Sequence, residues 1–327
     1  MKWSKNMKMK SFLITGGAGF IGSTLANYLS KENSVIIIDD LSMGKEENLI
    51  KGLNLKFIKG SVTDRKLMTE LLSNNTFDYI FHLAAIASVA DSVERPVETH
   101  QVNFESVLML LELIRKYQKN LKRLVFSSSA AVYGDEPTLP KKEESVIRPL
   151  TPYAIDKFAA EQYVLDYNHL YGVPTSAVRF FNVFGPNQNP ESPYSGVISI
   201  LVDCYKKLQQ GKSAQFTLFG DGSQSRDFVF VEDVIQALLL VSTNEESLGK
   251  QFNVGTSNGI TLKKLIEVID EMLKITLPIK YEAEREGDIR DSVADISRLK
   301  KLGFTPRFTI SEGIKRYLVS EKLLDSI

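Results

Sequence analysis

The chain has 327 residues, 43% of them apolar, enough for a sizeable core in one large or two modest domains. Lysine plus arginine and aspartate plus glutamate both number 40, so no net charge directs the protein to nucleic acid or to an anionic membrane. A single cysteine, Cys204, excludes an internal disulfide and suits a reducing cytoplasm; three histidines without a Cys/His cluster argue against a metal site, and no apolar run nears the roughly 20 residues that span a bilayer.

The basic opening leads into Phe12, Leu13 and Ile14, which meet glycines at once and so read as a buried strand, not a signal-peptide core. A helical pattern begins near Phe20. Gly17, Gly19 and Gly22 fit G-x-G-x-x-G, and Gly16, Gly19 and Gly22 fit a spacing of three. Between a strand and a helix this spacing permits a tight turn, a close approach of backbone to pyrophosphate, and close helix–strand packing. Gly16, Gly19, Phe20, Ile21 and Gly22 are therefore candidates to hold a dinucleotide on the helix N-terminus. A second apolar run, Val35 to Ile38, ends at Asp39, 20 residues past Gly19. A carboxylate there can accept both ribose hydroxyls of NAD and would repel the 2′-phosphate of NADP. Asp40, Ser42 and Gly44, in the polar turn that follows, join the cofactor set.

Leu55 to Ile58 is expected as a third strand and Arg65 to Ser73 as a helix. In the loop between them Ser61 and Val62 are candidates to flank an adenine, and Asp64 to cap the helix. Tyr79 to Leu83 reads as a fourth strand, with His82 a satisfied core histidine. Leu83 and the small Ala84 and Ala85 suit close passage of a flat cofactor, and Ala87 is placed on the substrate side. A long helix is expected over Val97 to Lys119; Asn103 near its start either holds loop backbone or touches the cofactor. Leu124 to Phe126 is a fifth strand running into Ser127, a cofactor candidate, and Ser129. A proline-punctuated loop, Pro137 to Pro152, precedes a helix from Tyr153 to Tyr171. Ala177 to Phe181 is a sixth strand, with Phe180 also assigned to the cofactor.

From Asn182 to Gly196 the composition turns to proline, asparagine, glycine and serine, as in an excursion from the first domain. A helix, Ile198 to Gln209, and a strand, Phe216 to Phe219, follow. Phe228 to Val241 and Phe252 to Val254 are apolar enough to return to the main sheet. Leu262 to Leu273, Ile279 to Tyr281 and the tail from Ile310 complete a smaller lobe. Strands alternating with helices imply an α/β fold: a doubly wound parallel Rossmann sheet with a smaller α/β C-terminal substrate lobe. The expected boundaries are 1–181 plus about 228–254 for the NAD-binding domain, and 182–227 plus 255–327 for the nucleotide-sugar lobe.

Tyr153 and Lys157 stand four residues apart at a helix start and share one face. A free phenol titrates at about 10, too high for a base at neutral pH. An ammonium one turn away, with an oxidised nicotinamide beside it, favours the phenolate. Tyr153 then serves as general base toward a substrate hydroxyl that Ser129 hydrogen-bonds.

This combination resembles the extended short-chain dehydrogenase/reductase family, and within it the nucleotide-sugar 4-epimerases. The resemblance covers nearly the whole chain: Thr15 to Gly22, Asp39 to Leu41, His82 to Ala85, Ser127 to Gly134, Tyr153 to Lys157, Arg179 to Pro186, Ser225 to Val234 and Arg285 to Asp295. It implies a bound NAD, a UDP-sugar held between two lobes, and a homodimer through a four-helix bundle. It also implies that Arg226 and Arg285 meet the diphosphate and that Asn182 and Asp288 make sugar-diphosphate and ribose contacts. One departure stands out: the family often has Gly-Asp-Ile where this chain has Gly60, Ser61 and Val62. The related 4,6-dehydratases carry an acid pair where this chain has Ala130 and Ala131, and two alanines can neither donate nor accept the protons of an elimination. Four residues past Asp288, where epimerases restricted to UDP-glucose tend to have tyrosine, stands Ser292. Its small side chain leaves room for an N-acetyl group, and the expected activity is 4-epimerisation of UDP-N-acetylglucosamine/UDP-N-acetylgalactosamine, with UDP-glucose/UDP-galactose as a further pair. The alternatives are an epimerase of UDP-glucose alone or of UDP-glucuronate.

Overall fold

The computed structural model describes residues 7–190, 196–284 and 289–325. The first half alternates strand and helix: β1 (Ser11–Thr15), α1 (Phe20–Leu29), β2 (Ser34–Asp39), β3 (Leu55–Lys59), α2 (Arg65–Asn74), β4 (Tyr79–His82), α3 (Val89–Glu94), α4 (Pro96–His100), α5 (Ser106–Tyr117), β5 (Arg123–Ser129), α6 (Pro152–Tyr171) and β6 (Thr175–Phe180). The second half holds β7 (Asn182–Phe184), α7 (Val197–Gln209), β8 (Phe216–Phe219), β9 (Ser225–Phe230), α8 (Val231–Thr243), β10 (Gln251–Val254), β11 (Gly259–Thr261), α9 (Leu262–Leu273), β12 (Ile279–Glu282), β13 (Asp291–Ser292), α10 (Ser297–Lys301) and α11 (Ile310–Ser320). Among the described residues no helix is long and apolar enough to cross a membrane.

The main sheet has seven strands in the order β10-β6-β5-β4-β1-β2-β3, every neighbouring pair parallel. Both faces are covered, which is why its strands read as unbroken apolar runs. Phe12 and Ile14 enter the core on one face and Leu13 the core on the other. The chain reverses its direction of travel across the sheet between β1 and β4, and ligands of such sheets bind at that switch point, beyond the strands' carboxyl ends. The smaller lobe centres on β9, which pairs with β7 and β13 in parallel and β11 antiparallel; β8 and β12 form a separate parallel pair.

Two expectations need correction. The run from Phe228 does not rejoin the main sheet as a strand. Phe228 and Phe230 enter the core of the smaller lobe while Val229 faces the main core. A strand buried on both faces has the same apolar signature in either sheet, so periodicity cannot assign it. The return begins with α8, which packs against α1, β5 and β6. The helix expected over Val97 to Lys119 is interrupted: α4 passes through a π-helical turn, Gln101–Glu105, before α5 begins.

Helix α6 is fixed at both ends and in its middle. Thr151 caps it by accepting from the Ala154 amide at 3.3 Å, and Gly172 closes it in the left-handed conformation that favours glycine. Two turns beyond Tyr153 on the same face, Glu161 accepts two hydrogen bonds from Arg179 of β6, at 2.9 and 2.6 Å, with both side chains buried. Arg179 also donates to the Tyr133 hydroxyl at 2.9 Å, and Tyr133 donates to Asn253 of β10 at 2.6 Å. Removing one partner of such a buried pair leaves an uncompensated charge, so this network holds α6 rigidly against the sheet.

Candidate active site

The glycine loop between β1 and α1 is shaped by contacts that exclude side chains. Gly16 has φ of +67°, and a Cβ there would lie 2.7 Å from the Ala84 amide nitrogen. A Cβ on Gly22 would collide with the Gly16 carbonyl. Gly19 is the N-cap of α1 and, among the described residues, supplies no side-chain cap; the first turn carries no acidic residue. The opening amides of the helix, around Phe20, Ile21 and Gly22, are thus left for an anion. Asp39 ends β2 beside this loop, with Oδ2 accepting from the Ala18 amide at 3.0 Å and Oδ1 from the Leu41 amide at 2.8 Å. These bonds aim the carboxylate and leave it lone pairs for hydroxyl donors. Gly44 lets the next segment close over the loop: a Cβ there would lie 2.8 Å from the Ala18 carbonyl carbon, and Asn48, not anticipated from sequence, donates to the Ala18 oxygen at 2.9 Å. Asp40 is exposed and accepts from the Ser42 amide at 2.9 Å.

Ser61 bonds the Thr63 hydroxyl at 2.9 Å, and Asp64 caps α2 by accepting from the Leu67 amide at 3.0 Å. The Val62 side chain turns into the core, so its approach to a ligand is limited to backbone. Leu83, Ala84 and Ala85 are half-buried at the end of β4, and Ala87 is exposed beyond them. Asn103, in the π turn, holds Ile86 at both ends: its Oδ1 accepts from the Ile86 amide and its Nδ2 donates to the Ile86 carbonyl, each at 2.9 Å. Of the two readings of Asn103, loop support is the one the contacts show.

His82 is satisfied at one nitrogen only, a correction to the expected core histidine. The Thr15 hydroxyl oxygen accepts from the Leu83 and Ala84 amides, both at 3.2 Å, which leaves its own hydrogen for His82 Nδ1 at 3.0 Å. The imidazole proton then sits on Nε2, which is buried and has no partner among the described residues. Burial, with the Lys157 charge second, pushes His82 down to about 3, so the ring stays neutral.

At the end of β5, Ser127 donates to the His82 carbonyl at 3.0 Å, and Lys157 Nζ donates to the Ser127 carbonyl at 2.8 Å, 4.9 Å from the Phe126 ring centroid. Ser129 accepts from the Ala131 amide at 3.1 Å, and its side chain acts on the Tyr153 phenol. Phe180 lies opposite Ser129 in the β5–β6 register. The electrostatics differ from the sequence expectation. Burial raises the Tyr153 phenol above its ordinary value, with the Ser129 side chain pulling the other way. Lys157 is itself pushed down to about 7 by burial, opposed by the Asp156 carboxylate. The spacing of Tyr153 and Lys157 anticipated a shared face, but not how deeply both are buried.

Across the cleft, Ser292 of β13 sits opposite Arg226 of β9, both half-buried. Arg226 donates to the Ser225 and Arg290 carbonyls at 2.9 and 3.0 Å. Asn182 donates to the Asp227 carbonyl at 3.3 Å. Asp227 is a structural hub that sequence reasoning passed over as a neighbour of Arg226: its fully buried carboxylate accepts from the Thr256, Ser257 and Ala294 amides and the Thr256 hydroxyl. Arg285 and Asp288, and the stretch from Glu191 to Tyr194, lie outside the described residues. Among the described residues no group of three or more His, Cys, Asp or Glu side chains could hold a metal ion.

Residues 12–255 match the NAD dependent epimerase/dehydratase family. The chain belongs to that family. A UDP-glucose 4-epimerase of Mycolicibacterium smegmatis is 36% identical over 310 residues, covering 93% of this chain and 96% of the relative. The structure of a UDP-N-acetylglucosamine 4-epimerase from Methanobrevibacter ruminantium, in complex with UDP-N-acetylmuramic acid, superposes with a TM-score of 0.87 at 38% identity, covering 95% of this chain and 99% of that one. A Thermus thermophilus UDP-glucose 4-epimerase, in complex with NAD, gives a TM-score of 0.85 at 33% identity, covering 97% and 100% of the two chains. The protein is thus an NAD-dependent enzyme of the epimerase/dehydratase family, and its residues fit that cofactor: a loop where a Cβ on Gly16 or Gly22 would clash, uncapped helix amides and an oriented acid at the end of β2.

Proposed function

We propose that this enzyme is a 4-epimerase of UDP-N-acetylglucosamine and UDP-N-acetylgalactosamine that also interconverts UDP-glucose and UDP-galactose. The observation carrying the reaction type is the burial of Tyr153 and Lys157 one turn apart on α6, with the Lys157 ammonium donating to the Ser127 carbonyl at the end of β5, two residues before Ser129. The glycine loop would hold NAD, which would supply a reversible hydride acceptor for C4 of the sugar. Tyr153, as the phenolate that the Lys157 ammonium and the positive charge of an oxidised nicotinamide favour, takes the proton of the C4 hydroxyl, and Ser129 orients that hydroxyl. The 4-keto sugar then presents its other face, and Tyr153 gives the proton back. Ala130 and Ala131 offer no acid or base for loss of water at C5–C6. Arg226, on the strand facing Ser292, is the proposed partner of the diphosphate, together with Arg285; Asn182 and Asp288 complete the nucleotide-sugar contacts. The serine at 292 supports the N-acetylated pair. We further infer a homodimer: α3, α4 and α6 expose Val93, Val97, Ile155, Tyr163 and Leu170, an apolar surface that suits a second copy.

The hydride route is tested by turnover in D₂O. A hydrogen that leaves as hydride and returns never meets solvent, so the epimerised product is expected to carry no deuterium at C4. Deuterium at C4 would mean that a solvent-exchanging base, not hydride transfer, inverts the centre.

A further inference from the structure

One pair of titratable side chains beside the catalytic helix has no task in the reaction as described. His100 ends α4, and its Nδ1 lies 2.7 Å from Oδ1 of Asp156 on α6. The exposed imidazole stacks on Phe104 at 5.0 Å, and Phe104 meets Tyr163 of α6 edge-on at 5.4 Å. Asp156 is 5% exposed, and its Oδ2 is buried without a hydrogen-bond partner among the described residues. An unpartnered carboxylate oxygen away from water is costly unless a cation lies within electrostatic reach. The next residue in the helix is Lys157. Successive helical side chains diverge by about 100°. The Lys157 ammonium is directed to the Ser127 carbonyl, so the carboxylate acts on it through space.

We propose that Asp156, held by His100, is the positioning counter-charge that keeps Lys157 an ammonium in its buried site. The proposal rests on the reading of Tyr153 and Lys157 given above. Apart from the Phe126 ring and the Ser127 carbonyl, little around Lys157 favours charge. The titratable groups beside it are Tyr153 and Asp156 on α6 and His82 on β4; His82 is neutral and burial raises the Tyr153 phenol. Asp156 and Lys157 are consecutive in the helix and both buried, and the Asp156 carboxylate, its Oδ2 unpartnered among the described residues, opposes the desolvation of the ammonium. A neutral Lys157 would lose its hold on a developing phenolate, so the carboxylate matters to the reaction without touching a substrate.

The test follows the charge of Lys157 directly. In protein carrying ¹³C at lysine Cε, the Lys157 resonance is assigned by its loss in Lys157→Met. In Asp156→Asn its titration midpoint is expected to fall by about one pH unit, and the alkaline limb of kcat to move down with it. Asp156→Glu should restore most of the shift. His100→Gln leaves the carboxylate but removes its anchor, and should move the midpoint in the same direction by less. An unchanged midpoint in a folded Asp156→Asn protein would overturn the proposal and leave Asp156 a strut between α4 and α6. Should Asp156→Asn not fold, an unchanged midpoint in a folded Asp156→Ser protein overturns it equally. Failure of the epimerase reading looks different: a wild-type protein whose Lys157 titrates as described but which turns over no UDP-hexose.

Discussion

Tyr153→Phe is expected to lower turnover by at least roughly 10²–10⁴-fold, the contribution of a well-placed acid–base group, while leaving NAD bound. The substitution keeps the ring, which is buried at 9% exposure, and removes only the phenol oxygen. Packing at the start of α6 should persist, because the helix is held by Thr151 at its cap and by the Glu161–Arg179 pair two turns on. Retained melting temperature with lost turnover places the effect in the chemistry. Near-normal turnover would mean that another group carries the proton.

The second large effect concerns the sugar. Ser292→Tyr adds a phenol ring on the strand beside Arg226, at the proposed wall against the C2 substituent. Overpacking a close-fitting site costs about 1–3 kcal/mol, and a ring lying where an N-acetyl group must lie excludes it outright. UDP-glucose carries only a hydroxyl at C2. The expected result is a selective loss: epimerisation of UDP-N-acetylglucosamine collapses and that of UDP-glucose persists. Because two substrates are compared in one protein, global misfolding cannot imitate the outcome. Equal loss of both activities would remove Ser292 as the determinant.

Much of the first domain was legible because its signals are local. The glycine spacing, the apolar run before it and Asp39 after it lie within about 30 residues, the length of one βαβ unit. The same holds for Tyr153 and Lys157, whose shared face follows from helical period alone. What escaped depended on contacts distant in sequence. The Phe228 run could have joined either sheet, and only its pairing with Asn182–Phe184 decides. The placing of the His82 proton on Nε2 follows from how the Thr15 hydroxyl divides its hydrogen bonds, which no sequence pattern encodes. Burial of Tyr153 and Lys157 reverses the pKa argument made from spacing, since desolvation outweighs a neighbour's charge. The His100–Asp156 contact joins residues 56 apart and had no local signature.

The most direct measurement of the central claim uses the purified protein with no cofactor added. It is incubated separately with UDP-N-acetylglucosamine, UDP-glucose and UDP-glucuronate, and the sugar products are resolved. The account predicts UDP-N-acetylgalactosamine from the first, UDP-galactose from the second and no product from the third. Turnover of UDP-glucose alone, conversion of UDP-glucuronate, or NADH accumulating in step with sugar consumed would contradict it.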